Sequence, residues 1–256
     1  MQTTDKALSL LRLFNEARPE LGLSEFARLA GFDKATTRRF LMALIRNGFV
    51  EQNPLSKKYR LGSGILSLAR VREETFPVSN LVKPVLQGLV EQTGETAHFS
   101  MFSGNELRSI EKVESPRSVR VTVNFSEALP LHGTASGIAF LSHQPAETVD
   151  RLLTGDLPAY TKNTMTEVRE VKKQIQLARQ NGVARVDGAF ELETCGVAAA
   201  IFDWEGYSSG AVAVVTPSSR MTDQHFDVTC KAVKAAATTI TRAFGAEVRE
   251  TVMAAG

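Results

Sequence analysis

The chain has 256 residues, 43% of them hydrophobic and 23% charged, with two cysteines and a formal net charge of +2. That balance excludes a disordered chain, and no apolar run approaches the roughly 18 residues of a bilayer-crossing helix. Cys195 and Cys230 cannot form a disulfide framework and lack metal-ligand spacing, so a cytoplasmic protein with no cofactor is expected.

The charge is unevenly laid along the chain. Residues 1–72 hold 13 Lys+Arg against 6 Asp+Glu, while the remainder holds 17 against 22. A basic front beside an acidic remainder suggests two domains with different partners, a polyanion being the natural one for the first. Chance surface charge is the bland alternative.

In chain order, the amphipathic start MQTTDKALSLLRLFNE carries Asp5 and Glu16 and reads as a helix rather than a signal peptide. Thr4-Asp5 caps it, and Ala7, Leu8, Leu11 and Phe14 are its apolar positions. Pro19 to Gly22 ends it. Ser24 then caps a short helix Glu25–Ala30, closed by Gly31. Asp33 caps a third helix running to about Asn47, with Gly48 after it. Helix, short Gly-containing turn, helix is the helix-turn-helix pattern.

At 100° per residue, Thr36, Phe40, Ala43 and Leu44 of the third helix share one side, and Lys34, Ala35, Arg38 and Arg39 share the other. Three cations in the first two turns oppose the helix dipole, by roughly 0.3–1 kcal/mol each when exposed. Stability alone would favour acids there. Placed in a major groove, Lys34, Thr36, Thr37, Arg38 and Arg39 can meet base edges and phosphates. A solvated basic face on a bundle helix is the competing reading.

The segment FVEQNPLSKKYRLGSG follows. It reads as strand 49–52, an Asn53-Pro54 turn and strand 58–61: a wing. Ser56, Lys57, Lys58 and Arg60 are placed to reach phosphates, with Tyr59 packing beneath. Residues 64–77 read as a linker helix.

Beyond residue 78, elements alternate. Thr96–Ser103 and Leu107–Glu114 read as strands joined at Gly104-Asn105. Ser118–Asn124 reads as another strand. His132–Leu141 with Thr134 as N-cap, Ala146–Leu153 and Thr166–Asn181 read as helices. Val197–Asp203 and Gly210–Thr216 read as strands, and Thr222–Phe244 as a closing helix. The fold class is α+β, an antiparallel-rich sheet with helices packed on it.

The segment LSEFARLAGFDKATTRRFLMALIRNGFVEQNPLSKKYRLGSGILSLA resembles the winged helix of IclR-type bacterial transcriptional regulators. LVKPVLQGLVEQTGETAHFSM, LPLHGTASGIAFLS and GVAAAIFDWEGYSSGAVAVVTPSSRMT resemble successive parts of that family's second domain. The resemblance implies a winged helix-turn-helix over 1–63, the linker helix 64–77, a GAF-like effector-binding domain over 78–250 and a tail 251–256. It implies a double-stranded DNA operator, a small organic acid or aromatic effector, and a homodimer or dimer of dimers, with no membrane. Departures from the family pattern are Ile138 in place of a usual Lys, Gly196 where a pocket Cys is frequent, Val186 where an Asp is frequent, and Ala213 and Val215 in place of small polar residues.

The effector site is expected at the helix opening in Gly133-Thr134-Ala135-Ser136. Free N–H groups at a helix start suit an anion, and the resemblance assigns effector contacts to Ala135 and Ser136. Asp187, Cys195 and Gly196 are expected on the opposite wall, His132 beside it, and Val121, Val123, Ala213 and Val215 as apolar lining. Against these stand plainer readings: His132 as a satisfied structural histidine, Cys195 as a small buried hydrophobe, Asp187 as a loop carboxylate. An enzyme with Cys195 as nucleophile, His132 as base and Asp187 as orienter is the competing class. It has no nucleophile elbow, phosphate loop or HExxH to support it, and His98, His143 and His225 are scattered without metal spacing.

Overall fold

The computed structural model describes residues 3–15, 18–75 and 77–245. The chain forms two compact units that join between Pro77 and Val78. The expected tail 251–256 and the end of the expected 78–250 domain lie outside the described residues.

The first unit opens with α1 (Thr3–Ser9), which tightens into a 3-10 turn over Leu10–Leu13. The tightening changes the period from 3.6 to 3.0 and rotates the apolar face. Leu10 is therefore fully buried, while Leu8, expected inside, is 47% exposed. Next come α2 (Leu23–Ala30) and α3 (Lys34–Arg46). The cap of α2 is Gly22 rather than Ser24: the Glu25 carboxylate accepts from the Gly22 N–H at 2.9 Å. Gly31 closes α2 in the left-handed region at φ 68°, as its sequence position implied. Asp33 caps α3, its Oδ1 accepting from the Thr36 N–H at 2.8 Å.

The buried face of α3 is Thr37, Phe40, Leu41 and Leu44. Thr37 and Leu41 occupy the places expected of Thr36 and Ala43, a rotation of about one position. A threonine is tolerated there because its hydroxyl donates to the Asp33 carbonyl oxygen at 2.8 Å. Leu10, Phe14, Leu21, Phe26, Val50 and Tyr59 complete this core. The Phe26 ring meets those of Phe14 and Tyr59 edge to face. Each fully buried large apolar side chain contributes roughly 1.5–3 kcal/mol.

The wing is the antiparallel pair β1 (Val50–Gln52) and β2 (Tyr59–Leu61). Leu21 and Tyr59 exchange backbone hydrogen bonds of 2.9 and 2.8 Å, which ties β2 to the entrance of α2. The α4 helix (Ser63–Thr75) buries no residue, and its Leu66, Leu68 and Val71 are more than half exposed.

The second unit is a six-stranded antiparallel sheet between two helical layers. In chain order it contains α5 (Val78–Thr93), β3 (Thr96–Ser103), β4 (Glu106–Val113), β5 (Ala128–Leu129), α6 (Ala135–Leu141), α7 (Ala146–Leu152), α8 (Val168–Asn181), β6 (Ala184–Asp187), β7 (Thr194–Phe202), β8 (Ser208–Pro217) and α9 (Asp223–Ala243). The strand order is β5-β4-β3-β8-β7-β6. Gly104 and Asn105, at φ 58° and 77°, make the β3–β4 turn, the conformation a two-residue hairpin loop requires.

Alternation along the strands divides the unit into two cores. Phe99, Cys195, Val197, Ile201, Val212 and Val214 pack with α5 and α9. Ala198, Ala211 and Ala213 pack with Ile138 and Phe140 of α6 and with Val171 and Ala178 of α8. Gly137 permits the close approach of α6 to the segment before it, because a Cβ there would lie 2.4 Å from the Leu131 carbonyl oxygen.

Residues 118–124, expected as a strand, form a loop. Side chains planted elsewhere take its backbone carbonyls: Thr96 Oγ1 bonds Val121 at 2.8 Å, Lys112 Nζ bonds Val123 at 2.8 Å, and an Arg220 nitrogen bonds Val119 at 3.0 Å. With its acceptors satisfied in this way, the segment needs no ladder. The outer edge of β4 pairs with β5 instead.

Candidate nucleic-acid interface and ligand cavity

On α3 the side chains of Lys34, Arg38 and Arg39 are exposed and Thr36 is half-buried. Among the described residues, no carboxylate forms a salt bridge with Lys34, Arg38, Arg39, Lys57 or Lys58. The Arg39 guanidinium lies 5.4 Å from the centre of the Phe40 ring, a contact that holds its stem along the helix. Asp33 offsets the misplaced charge from the cap, and the Thr36 N–H holds its carboxyl below the usual range. Thr37, expected to meet bases, has no exposed surface and cannot reach a groove.

The wing tip is shaped by Asn53. Its Oδ1 accepts from the N–H groups of Leu55 and Ser56 at 2.9 and 3.2 Å, and its carbonyl oxygen accepts from Lys57 at 2.9 Å. Lys57 adopts φ 57°, and Ser56, Lys57 and Lys58 project from the tip, all exposed. Arg60 differs from them: its Nε is 2.6 Å from Glu51 and its guanidinium 3.9 Å from Glu20. Its charge is largely answered within the molecule.

In the second unit a cavity of about 100 Å³ opens between the 118–127 loop, the start of α6 and the β6–β7 end of the sheet. That is room for several waters or part of a small organic molecule. Val121, Val123, Ala135, Ser136, Gly196, Ala213 and Val215 all line it, as expected. The strand register accounts for the far wall, since Val186 on β6 pairs with Gly196 on β7 and Ala213 on β8 pairs with His98 on β3. Thr134 starts α6 against the cavity, its hydroxyl accepting from the Gly137 N–H at 3.0 Å and donating to the Pro130 carbonyl oxygen at 2.8 Å. Gly196 allows the strand to come up to α6: a Cβ there would meet that of Ala135 at 3.1 Å.

Three expected residues do not border the cavity. His132 is buried in the turn before α6, its Nε2 3.0 Å from the Pro158 carbonyl oxygen and its ring against Tyr160. Asp187 is exposed and forms paired bonds of 2.8 and 3.2 Å with Arg185. Cys195 points to the opposite face of the sheet, one residue out of phase with Gly196, and burial pushes its thiol up to about 12. A thiol whose pKa burial raises, packed in the core with α5 and α9, and an imidazole already bonded to Pro158 make no nucleophile–base pair.

Sequence reasoning missed His98, Glu127, Phe190 and Glu191, which also line the cavity. His98 is 3% exposed, and burial brings its pKa down to about 4. Its Nδ1 lies 3.0 Å from the Ser109 hydroxyl. Period-2 alternation on β3 carried the signal, because His98 lies between Ala97 and Phe99, both of which face the other core.

A winged helix whose exposed α3 cations have no carboxylate partner among the described residues, followed by an α+β unit with a cavity, fits a ligand-responsive DNA-binding regulator. Residues 3–54 match the IclR helix-turn-helix domain, and residues 74–242 match the bacterial transcriptional regulator IclR C-terminal domain. The chain belongs to the IclR family. It is 30% identical to the transcriptional regulator TtgV of Pseudomonas putida, over 96% of this chain and 92% of that one. It is 28% identical to the transcriptional repressor IclR of Escherichia coli, over 96% of this chain and 90% of that one. A solved IclR-type regulator from Silicibacter superposes with a TM-score of 0.89 at 37% identity, covering 99% of this chain and all of that one, 100%. An IclR homologue from Microbacterium hydrocarbonoxydans, solved with 4-hydroxybenzoate, shares the fold with a TM-score of 0.79 at 22% identity, covering 96% and 100%. These relatives are named as regulators, and the reading with Cys195 as nucleophile, His132 as base and Asp187 as orienter does not fit the geometry.

Proposed function

We propose that the chain reads its operator with Lys34, Thr36, Arg38 and Arg39 in the major groove, while Ser56, Lys57 and Lys58 of the wing hold phosphates. The observation that carries this reading is the row of exposed cations on α3 with no carboxylate partner among the described residues. A helix that keeps charge against its own dipole gains from an external polyanion. Arg60, paired with Glu51, contributes less.

Two copies present two such helices to a pseudo-palindromic site, half-sites about one helical turn or a multiple apart. The exposed apolar side chains of α4, Leu66, Leu68 and Val71, favour a homodimer, which can pair again into a dimer of dimers. The effector occupies the cavity against Ala135, Ser136, Gly196, Ala213 and Val215. Of the two effector chemistries expected, the mainly apolar lining favours an aromatic-sized body. Ligand alters DNA affinity by the difference in its affinity for two arrangements of the dimer.

Footprinting titration on the promoter region beside the protein's own gene tests the interface. Arg38→Ala should weaken binding by roughly 1–3 kcal/mol and relax base preference at one position. Unchanged affinity would sink the assignment of the reading face.

A further inference from the structure

The cavity is an effector site in the reading above, and its polar chemistry narrows what it can hold. No Lys or Arg lines it. Two carboxylates, Glu127 and Glu191, stand exposed at its rim. Although its residue is exposed overall, crowding around the Glu191 carboxyl, and next the neighbouring Glu127 charge, raise it, so the two acids act on one another across the opening. A cleft with one sign of charge at its mouth concentrates that field inward and repels an entering anion.

The interior offers uncharged groups instead. His98 Nε2 and the Ser136 hydroxyl make no hydrogen bond among the described residues and are open to the cavity, although their residues are only 3% and 2% exposed overall. Facing the cavity, each can be met by water or by a matching donor or acceptor on an occupant. His98 stays neutral at physiological pH because burial disfavours its charged form, so it supplies no cation for an acid. The Ser109 hydroxyl can give or take the bond to Nδ1, which lets Nε2 present either a lone pair or an N–H. Lys112, directly across the ladder from His98, is held by the Val123 carbonyl oxygen at 2.8 Å and Glu114 at 3.3 Å, with its ammonium 4.9 Å from the Phe125 ring centre. An anion would have to strip it from all three.

We propose that the cavity binds an uncharged, ring-sized molecule carrying a hydroxyl or amide group, with His98 and Ser136 as its polar contacts, and discriminates against the matching carboxylate. Val186 and Gly196, paired on the far wall, leave the rest of the molecule against apolar surface.

The test uses the full chain and a matched series: benzyl alcohol, benzamide, benzoate, benzylamine and their 4-hydroxy forms. Binding is followed through the methyl NMR signals of Ala135, Ala213 and Val215 at pH 7. The alcohol and amide should bind at least about tenfold more tightly than the benzoate. The exposed pair of substitutions Glu127→Gln and Glu191→Gln should narrow that gap several-fold, and Ser136→Ala should weaken the alcohol and amide more than the benzoate. Benzoate binding as tightly as benzamide, or benzylamine binding most tightly of all, overturns the charge rule while leaving the cavity as an effector site. If no member of the series moves those methyl signals, the effector-site reading fails, and the proposal with it.

Discussion

Thr36 and Thr37 are neighbours with opposite fates: one half-buried beside the proposed reading face, the other fully buried on the same side of α3 as Phe40, Leu41 and Leu44. Single positions carry similar consequences elsewhere. A methyl group at Gly137 would collide with the backbone of Leu131 at 2.4–2.5 Å, whereas at Gly88, inside α5, it would meet only the Gln92 side chain at 4.0 Å. Urea denaturation should therefore show Gly137→Ala destabilising by roughly 1–3 kcal/mol and Gly88→Ala stabilising by about 0.5–1 kcal/mol. His98 sets a pH window. Its pKa falls from 6.5 to about 4 on burial, so below pH 6.5 the unfolded chain takes up a proton that the folded chain refuses. Stability from this residue is complete above pH 6.5 and is lost as pH falls toward 4, by up to about 3 kcal/mol. His143 shifts in the same direction, chiefly through burial. A thermal-melt series across that range should steepen on the acid side, and His98→Asn should flatten it.

The helices of the first unit were legible because their stop signals are chemical: Asp33 caps, Gly31 and Gly48 end, and each does so in the structure. Where the period itself changes, as at Leu10–Leu13, a wheel drawn at 100° chooses Leu8 over Leu10 and fails. VRVTV has a strand's alternation, yet its fate is decided by Thr96, Lys112 and Arg220, residues distant in sequence that no local pattern reveals. For His98 the alternation on β3 gave its face, opposite Ala97 and Phe99, while only the register with Ala213 brings it to the cavity. The loop's root is Glu95, fully buried, which accepts 2.6 Å bonds from two Arg220 nitrogens and a 3.1 Å bond from Arg117. Glu95→Gln leaves two guanidiniums short of their anion. It should cost roughly 1.5–3 kcal/mol and make residues 114–127 exchange amide protons faster, as read by hydrogen-exchange mass spectrometry.

For the whole molecule, a polyanion is the proposed partner of the basic first 72 residues and a small ligand that of the acidic remainder, and ionic strength should distinguish the two. DNA binding is expected to weaken steeply with salt, and Lys57→Ala to lower the slope of log affinity against log salt by about one, uniformly across sequences. Arg60→Ala should change that slope less, because Glu51 already accompanies its charge. Binding of a neutral effector should hardly respond to salt. The panel over the cavity is fastened at its main chain by anchors that belong to the frame, so Val121, Thr122 and Val123 are at liberty to be exchanged. On the proposed reading, rewriting those few side chains should retune the cavity to a different ligand while the sheet beneath it, and the DNA contacts of the first unit, stay as they are.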